Sequence, residues 1–135
     1  MPLCILIPAD GKAELARVSL SGYEALNRAV GASYGDTVRV HDAPGGLHFA
    51  LWIDDEGALN HHPSGNARAS ALAQVPIYAD ALLMATDREG KHVDLPDAVA
   101  ANVLRAYPAA GASPRVYSIG PDGTATEVTG VNWKP

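Results

Sequence analysis

A single cysteine, Cys4, is present in 135 residues, so no internal disulfide can form and the chain suits a reducing compartment. Cys4 lies in the apolar run LCILI, which predicts a buried, inert thiol rather than a nucleophile. Also missing is any apolar run near the ~18 residues that a membrane helix needs. The opening MPLCILIPADG has neither the basic region nor the length of a secretory signal, so a soluble, cytoplasmic protein with no membrane association is expected. Positive charge is in deficit: 10 Lys and Arg against 15 Asp and Glu leave a formal charge of −5. That balance argues against direct nucleic-acid binding, which usually shows as a basic stripe. The chain also lacks Gly-x-x-x-x-Gly-Lys, Gly-x-Gly-x-x-Gly, His-Glu-x-x-His and any paired-cysteine pattern, and no cofactor or metal is predicted.

What is present is ordinary globular composition, 47% hydrophobic and 19% charged, at a length that suits one domain over residues 1–135. Two turns of one design punctuate the middle of the chain: Asp54-Asp55-Glu56-Gly57 and Asp87-Arg88-Glu89-Gly90. Each puts Asp first, where its carboxylate can accept backbone amides, and Gly fourth, where a positive φ is expected. Ala9-Asp10-Gly11 and Pro121-Asp122-Gly123 offer similar reversals. A calcium loop is not indicated, because neither acidic turn carries the alternating ligand series that calcium requires.

Alternation predicts strands at residues 3–7 and 14–20 as an opening hairpin, 36–41 and 47–53 as a second, and 115–119 with 124–129 as a third. The apolar run 77–86 reads as a central strand. Ser21 and Glu24 have capping-box spacing for a helix over 22–30, with Tyr23, Leu26 and Val30 as its buried stripe. Pro96 and Asp97 begin a second helix over 96–107. Asn66 caps a short, Ala-rich helix over 67–74. The expected fold is therefore a single α+β domain with a largely antiparallel or mixed sheet of six or seven strands, two main helices and one short one. Trp133 sits in a short tail, where it can pack back or meet a partner.

The candidate binding surface is the polar stretch holding His61, His62, Asn66, Arg68 and Ser70. Arg68 is the only Lys or Arg between Arg39 and Arg88, an interval with six carboxylates. It also lies in the first turn of a helix, where the dipole disfavours a cation by up to ~1 kcal/mol. Compensation is expected from Asp54, Asp55 or Asp80, or else from a bound anion or partner. His41 and His48 flank one turn but have no third ligand for a metal. Catalytic residues are not assigned, because His61, His62 and His92 have no partner at a fixed spacing.

Tyr23-Glu24-Ala25-Leu26 with Val30-Gly31, Trp52-Ile53-Asp54-Asp55-Glu56-Gly57, Asn66-Ala67-Arg68-Ala69-Ser70 and Asp87-Arg88-Glu89-Gly90 followed by Asp94-Leu95-Pro96 form an ordered set. In this set the chain resembles a domain-of-unknown-function family of small proteins encoded by actinobacteria and their phages. The resemblance spans about residues 23–107 and leaves the hairpin and tail, 115–135, outside it. It implies a small intracellular protein of mobile-element origin and brings no activity with it. The functional expectation is a non-enzymatic binding or regulatory module whose partner is another protein. Two alternatives are a small hydrolase-like or metal-using enzyme acting through His61, His62 or His92, and an acidic inhibitor of a nucleic-acid-binding partner.

Overall fold

A computed structural model describes residues 2–18, 22–57, 65–107, 116–119, 121–123, 125–128 and 131–134. Its elements are β1 (Leu3–Ile7), β2 (Glu14–Arg17), α1 (Tyr23–Val30), β3 (Gly35–Asp42), β4 (His48–Asp54), α2 (Ala67–Ala73), β5 (Ala81–Thr86), β6 (His92–Val93), α3 (Asp97–Ala106), β7 (Val116–Ile119) and β8 (Ala125–Val128). The expected α+β domain is observed. Its main sheet has six antiparallel strands ordered β2-β1-β5-β4-β3, with β6 also on β5, and β7 and β8 form a separate hairpin. The two-residue β6 is too short to carry any periodicity and has no counterpart in the sequence reading. It pairs Val93 with Ala85 and His92 with Thr86, next to where the pairing of β1 with β5 ends.

β5 is central and buried on both faces, which is why its sequence is continuously apolar rather than alternating. Ala81, Leu83 and Ala85 join one core with Ile5, Ile7, Phe49, Leu51, Leu72, Val99 and Val103, beneath α2 and α3. Leu82 and Met84 point the other way and meet Cys4, Leu26, Val30 and Trp52 beneath α1. Burial pushes the Cys4 thiol up to about 11, with the Asp94 carboxylate adding to the shift, so it stays protonated and unreactive near neutrality.

The strand expected over 77–86 begins only at Ala81. Ala79 has a left-handed φ of 63°, which interrupts the extended backbone, and Tyr78 pairs with Gly65 as an isolated bridge outside the strands. Helix α1 starts from Gly22 without a side-chain cap; Ser21, the expected cap, lies outside the described residues. Tyr23, expected in the buried stripe, is 71% exposed, while Leu26 and Val30 are buried as expected.

Both acidic turns use their first Asp as predicted: Asp54 accepts from the Glu56 amide, and Asp87 accepts from the Glu89 and Lys91 amides. Gly90 has the anticipated positive φ of 80°. Gly57 does not; a Cβ there would stand 3.2 Å from the Tyr78 carbonyl oxygen, so close approach is what it permits. Trp133 packs back rather than outward. Its ring meets Phe49 at 5.0 Å and stacks on His41 at 5.6 Å, and the Asn102 side chain donates to the Asn132 carbonyl beside it.

Trp133→Ala should therefore cost about 3 kcal/mol, the lower end for deleting a buried aromatic, in chemical denaturation. A loss below about 0.5 kcal/mol would show that the docked tail contributes nothing to stability.

Candidate functional site

The residues singled out in the sequence fall into two groups. His61 and His62 lie outside the described residues. Asn66 and Arg68 are each 1% exposed, and Ser70 is half-buried. Asn66 Oδ1 accepts from the Ala69 amide at 3.1 Å, the predicted cap. Its Nδ2 donates to the carbonyls of Ile7 at 2.8 Å and Ala79 at 2.9 Å, and its own amide reaches the Ile77 carbonyl. One side chain thus ties the end of β1, the approach to β5 and the start of α2. It also holds the carbonyl of Ala79, the residue whose left-handed backbone costs about 1 kcal/mol or more.

Arg68 meets main-chain carbonyls, not the carboxylates expected for it. Its Nη2 donates to Pro8 at 2.5 Å and its Nη1 to Tyr107 at 3.5 Å. Asp54 and Asp80 are spent elsewhere, on the Glu56 and Ala9 amides. Burial lowers the guanidinium pKa, with Asp10 opposing the shift. Withdrawing this charge from water costs several kcal/mol, so its hydrogen bonds must be kept for the fold to tolerate it. Ser70 closes the same region: the Ile77 amide donates to its Oγ at 2.8 Å, and the Oγ faces the Ile77 carbonyl at 3.3 Å. The three side chains all serve the backbone of β1, α2 and the segment before β5.

His41 and His48 do not converge. The register pairs His41 with Phe49 and His48 with Asp42, so His41 and His48 take opposite faces of the sheet. His48 Nδ1 lies 2.7 Å from Asp42 Oδ1, and that hydrogen bond is the main cause holding the Asp42 carboxyl below the usual range, with Arg39 assisting. The pair is solvent-exposed and worth little. Among the described residues, no three His, Cys, Asp or Glu side chains are placed to share a metal ion.

A different site was not anticipated. On the α1 side of the sheet a cleft of about 730 Å³ is lined by α1, by the segment leading into β3, and by Trp52 and His92. Its floor is built around Trp52. The indole Nε1 donates to Asn27 Oδ1 at 3.0 Å, and Tyr23 stacks on the indole at 5.4 Å with the rings 9° from parallel. A Cβ on Gly35 would stand 2.3 Å from both Asn27 Oδ1 and the indole carbons, so only glycine lets the pair lie against β3. Tyr34, 68% exposed, reaches the same cleft, with its carbonyl fixed by the Asp55 amide at 2.8 Å. His92 Nδ1 is buried without a hydrogen-bond partner among the described residues. The available sequence signal was the pair Gly22-Tyr23 and Tyr34-Gly35 bracketing α1: an aromatic beside a glycine at each end of one short helix.

Residues 3–108 match the family described as Domain of unknown function (DUF3846), and the chain belongs to that family. The matched span holds the whole six-stranded sheet, the Asn66, Arg68 and Ser70 side chains and the cleft, and it stops before β7. No curated protein and no solved structure matches the chain.

Asn66→Ala should cost about 3 kcal/mol, roughly 1 for the cap and about 1 for each of two buried carbonyls left unpaired. Urea denaturation reads this directly, and a loss under about 0.5 kcal/mol would remove Asn66 as a support. Arg68→Ala should destabilise by about 3 kcal/mol or more, and Arg68→Lys should recover only part, because an ammonium cannot reach two divergent carbonyls as a planar fork does. Full recovery by lysine would contradict the bonding described.

Proposed function

We propose that this chain is a non-enzymatic binding module and that the cleft beside α1 is its recognition site. The observation that carries the reading is the exposure of Tyr23 and Tyr34 around a floor held in advance. A large aromatic left in water forgoes ~1.5–3 kcal/mol of burial, and two of them at one concavity are the usual means of gripping an apolar or planar group. The floor also needs no reorganisation to receive it, since Trp52 is already oriented by Asn27, Gly35 and Tyr23; such preorganisation lowers the cost of binding.

In this reading the protein is regulatory. It acts in the cytoplasm, as one buried thiol suits, and the occupied cleft alters the surface offered to a protein partner. An actinobacterial or phage origin belongs to the same proposal and rests on the sequence resemblance alone. No helix among the described residues is long and apolar enough to cross a membrane.

Proton–nitrogen correlation spectra recorded against a library of small aromatic and aliphatic fragments test the assignment. Shifts should concentrate on the Trp52 indole N–H, the Asn27 side-chain amide and the backbone around Tyr23 and Tyr34. Hits that gather on another surface, or no hits at all, would refute it.

A further inference from the structure

We propose that the cleft takes a neutral, planar heterocycle of the nucleoside class, an inference that rests on the binding reading above and names its ligand. Three features of the lining point the same way. Tyr23 stacks on Trp52 on one side and is 71% exposed, so a second flat ring laid on it would extend an existing pile; base-on-aromatic stacking is the sequence-tolerant way proteins hold single bases.

The polar groups suit a ring with heteroatoms rather than a hydrocarbon. Because Asn27 Oδ1 is committed to the indole, the side-chain amide is fixed in orientation and its Nδ2 hydrogens are left as the donors it can offer. Thr37 adds an exposed hydroxyl, able to donate or accept, and His92 adds an imidazole whose Nδ1 has no partner among the described residues. A buried unpaired nitrogen is unfavourable, and a small rotation of the ring toward the cleft would let a ligand edge satisfy it. Donors and acceptors set around a stacking surface read the edge of a base; benzene-like rings could use only the stack.

The third feature is charge. Among the described residues Asp36 is the sole carboxylate or cation of the lining, His92 apart, and the chain as a whole carries −5. No Lys or Arg among the described residues lines the cleft for a phosphate. A nucleoside is therefore favoured over a nucleotide, and a free base over one carried on a phosphodiester chain. At about 730 Å³ the cleft lies within the ~300–1,000 Å³ of small-molecule sites.

The test uses Trp133→Phe protein, in which Trp52 is the only tryptophan and reports from the floor itself. Adenosine, guanosine, cytidine and uridine are titrated, with adenosine 5′-monophosphate and benzyl alcohol as comparisons. At least one nucleoside should change Trp52 fluorescence saturably with a Kd below about 1 mM. Its binding should weaken about tenfold in Tyr23→Ala, through lost stacking, and measurably in Thr37→Val. The monophosphate should bind several-fold more weakly than adenosine, and benzyl alcohol should not saturate. Tyr23 is mostly exposed, so the alanine variant should fold, and circular dichroism checks that it does. Benzyl alcohol binding as well as any nucleoside, the monophosphate binding more tightly than adenosine, or an undiminished response in Tyr23→Ala would each overturn the proposal. Silence from all four nucleosides while the fragment spectra still light up the cleft would reject the ligand class alone; silence in both would reject the binding reading with it.

Discussion

Buried carbonyls where β1 ends and where the chain turns into β5 need partners, and the fold depends on Asn66 and Arg68 supplying them. Strand β1 stops at Ile7, and the segment before β5 runs irregularly past Ala79. Neither stretch gives these carbonyls a sheet partner, yet Ile7 and Ala79 are buried. Leaving two or three such groups unpaired would cost about 1–3 kcal/mol each, a large part of the 5–15 kcal/mol by which a domain of this size is stable. Asn66 is suited to the place because a carboxamide has one acceptor for the helix amide and two donors for Ile7 and Ala79. Aspartate or serine could cap α2 but could not bind both carbonyls. Arg68 extends the same network to Pro8 and to the end of α3 at Tyr107.

This network explains why the segment around α2 carries polar residues in its interior. Asn66-Ala67-Arg68-Ala69-Ser70 looks in sequence like a surface, and it is a seam: Asn66 and Arg68 face inward, and Ser70 pairs with both main-chain groups of Ile77. The alanines of α2 follow from the same demand. Small side chains let the helix backbone approach the sheet closely enough for the Asn66 and Arg68 groups to reach it. The α1 face is organised differently. There one indole is fixed by an amide, a glycine and a tyrosine, and aromatic surface is left open to solvent. The supporting seam and the open cleft thus occupy opposite faces of one sheet, and β5, apolar on both, separates them.

Much of the fold was legible in the chain because local chemistry decides it. The three hairpins follow from alternation and from turns whose Asp and Gly act on their own neighbours, and β5 stands out by its unbroken apolar run. Strand order was not legible, since nothing in residues 3–7 says that they lie beside residues 81–83. The spacing of Tyr23 from Leu26 and Val30 fits the buried stripe, whereas its ring stays exposed and stacks on Trp52 instead. A charged residue in an acidic region ordinarily pairs with an acid, and the carbonyl partners of Arg68 from residues 8 and 107 become visible only once three elements are brought together. The cleft escaped for the same reason. Trp52 reads as an ordinary strand residue until Asn27 and Gly35 are seen against it.

The division between a supporting seam and a receptive cleft is tested most directly by native-state hydrogen exchange at two protons. The Ala69 amide is bonded to Asn66 Oδ1, and the Trp52 indole proton is bonded to Asn27 Oδ1. If the seam carries the fold, the Ala69 amide exchanges only through global unfolding, with the same steep denaturant dependence as the slowest amides of β5. The indole proton, at the edge of an open cleft, exchanges faster through local opening and with little denaturant dependence. An Ala69 amide that exchanges as readily as the indole, by small fluctuations insensitive to denaturant, would contradict the account.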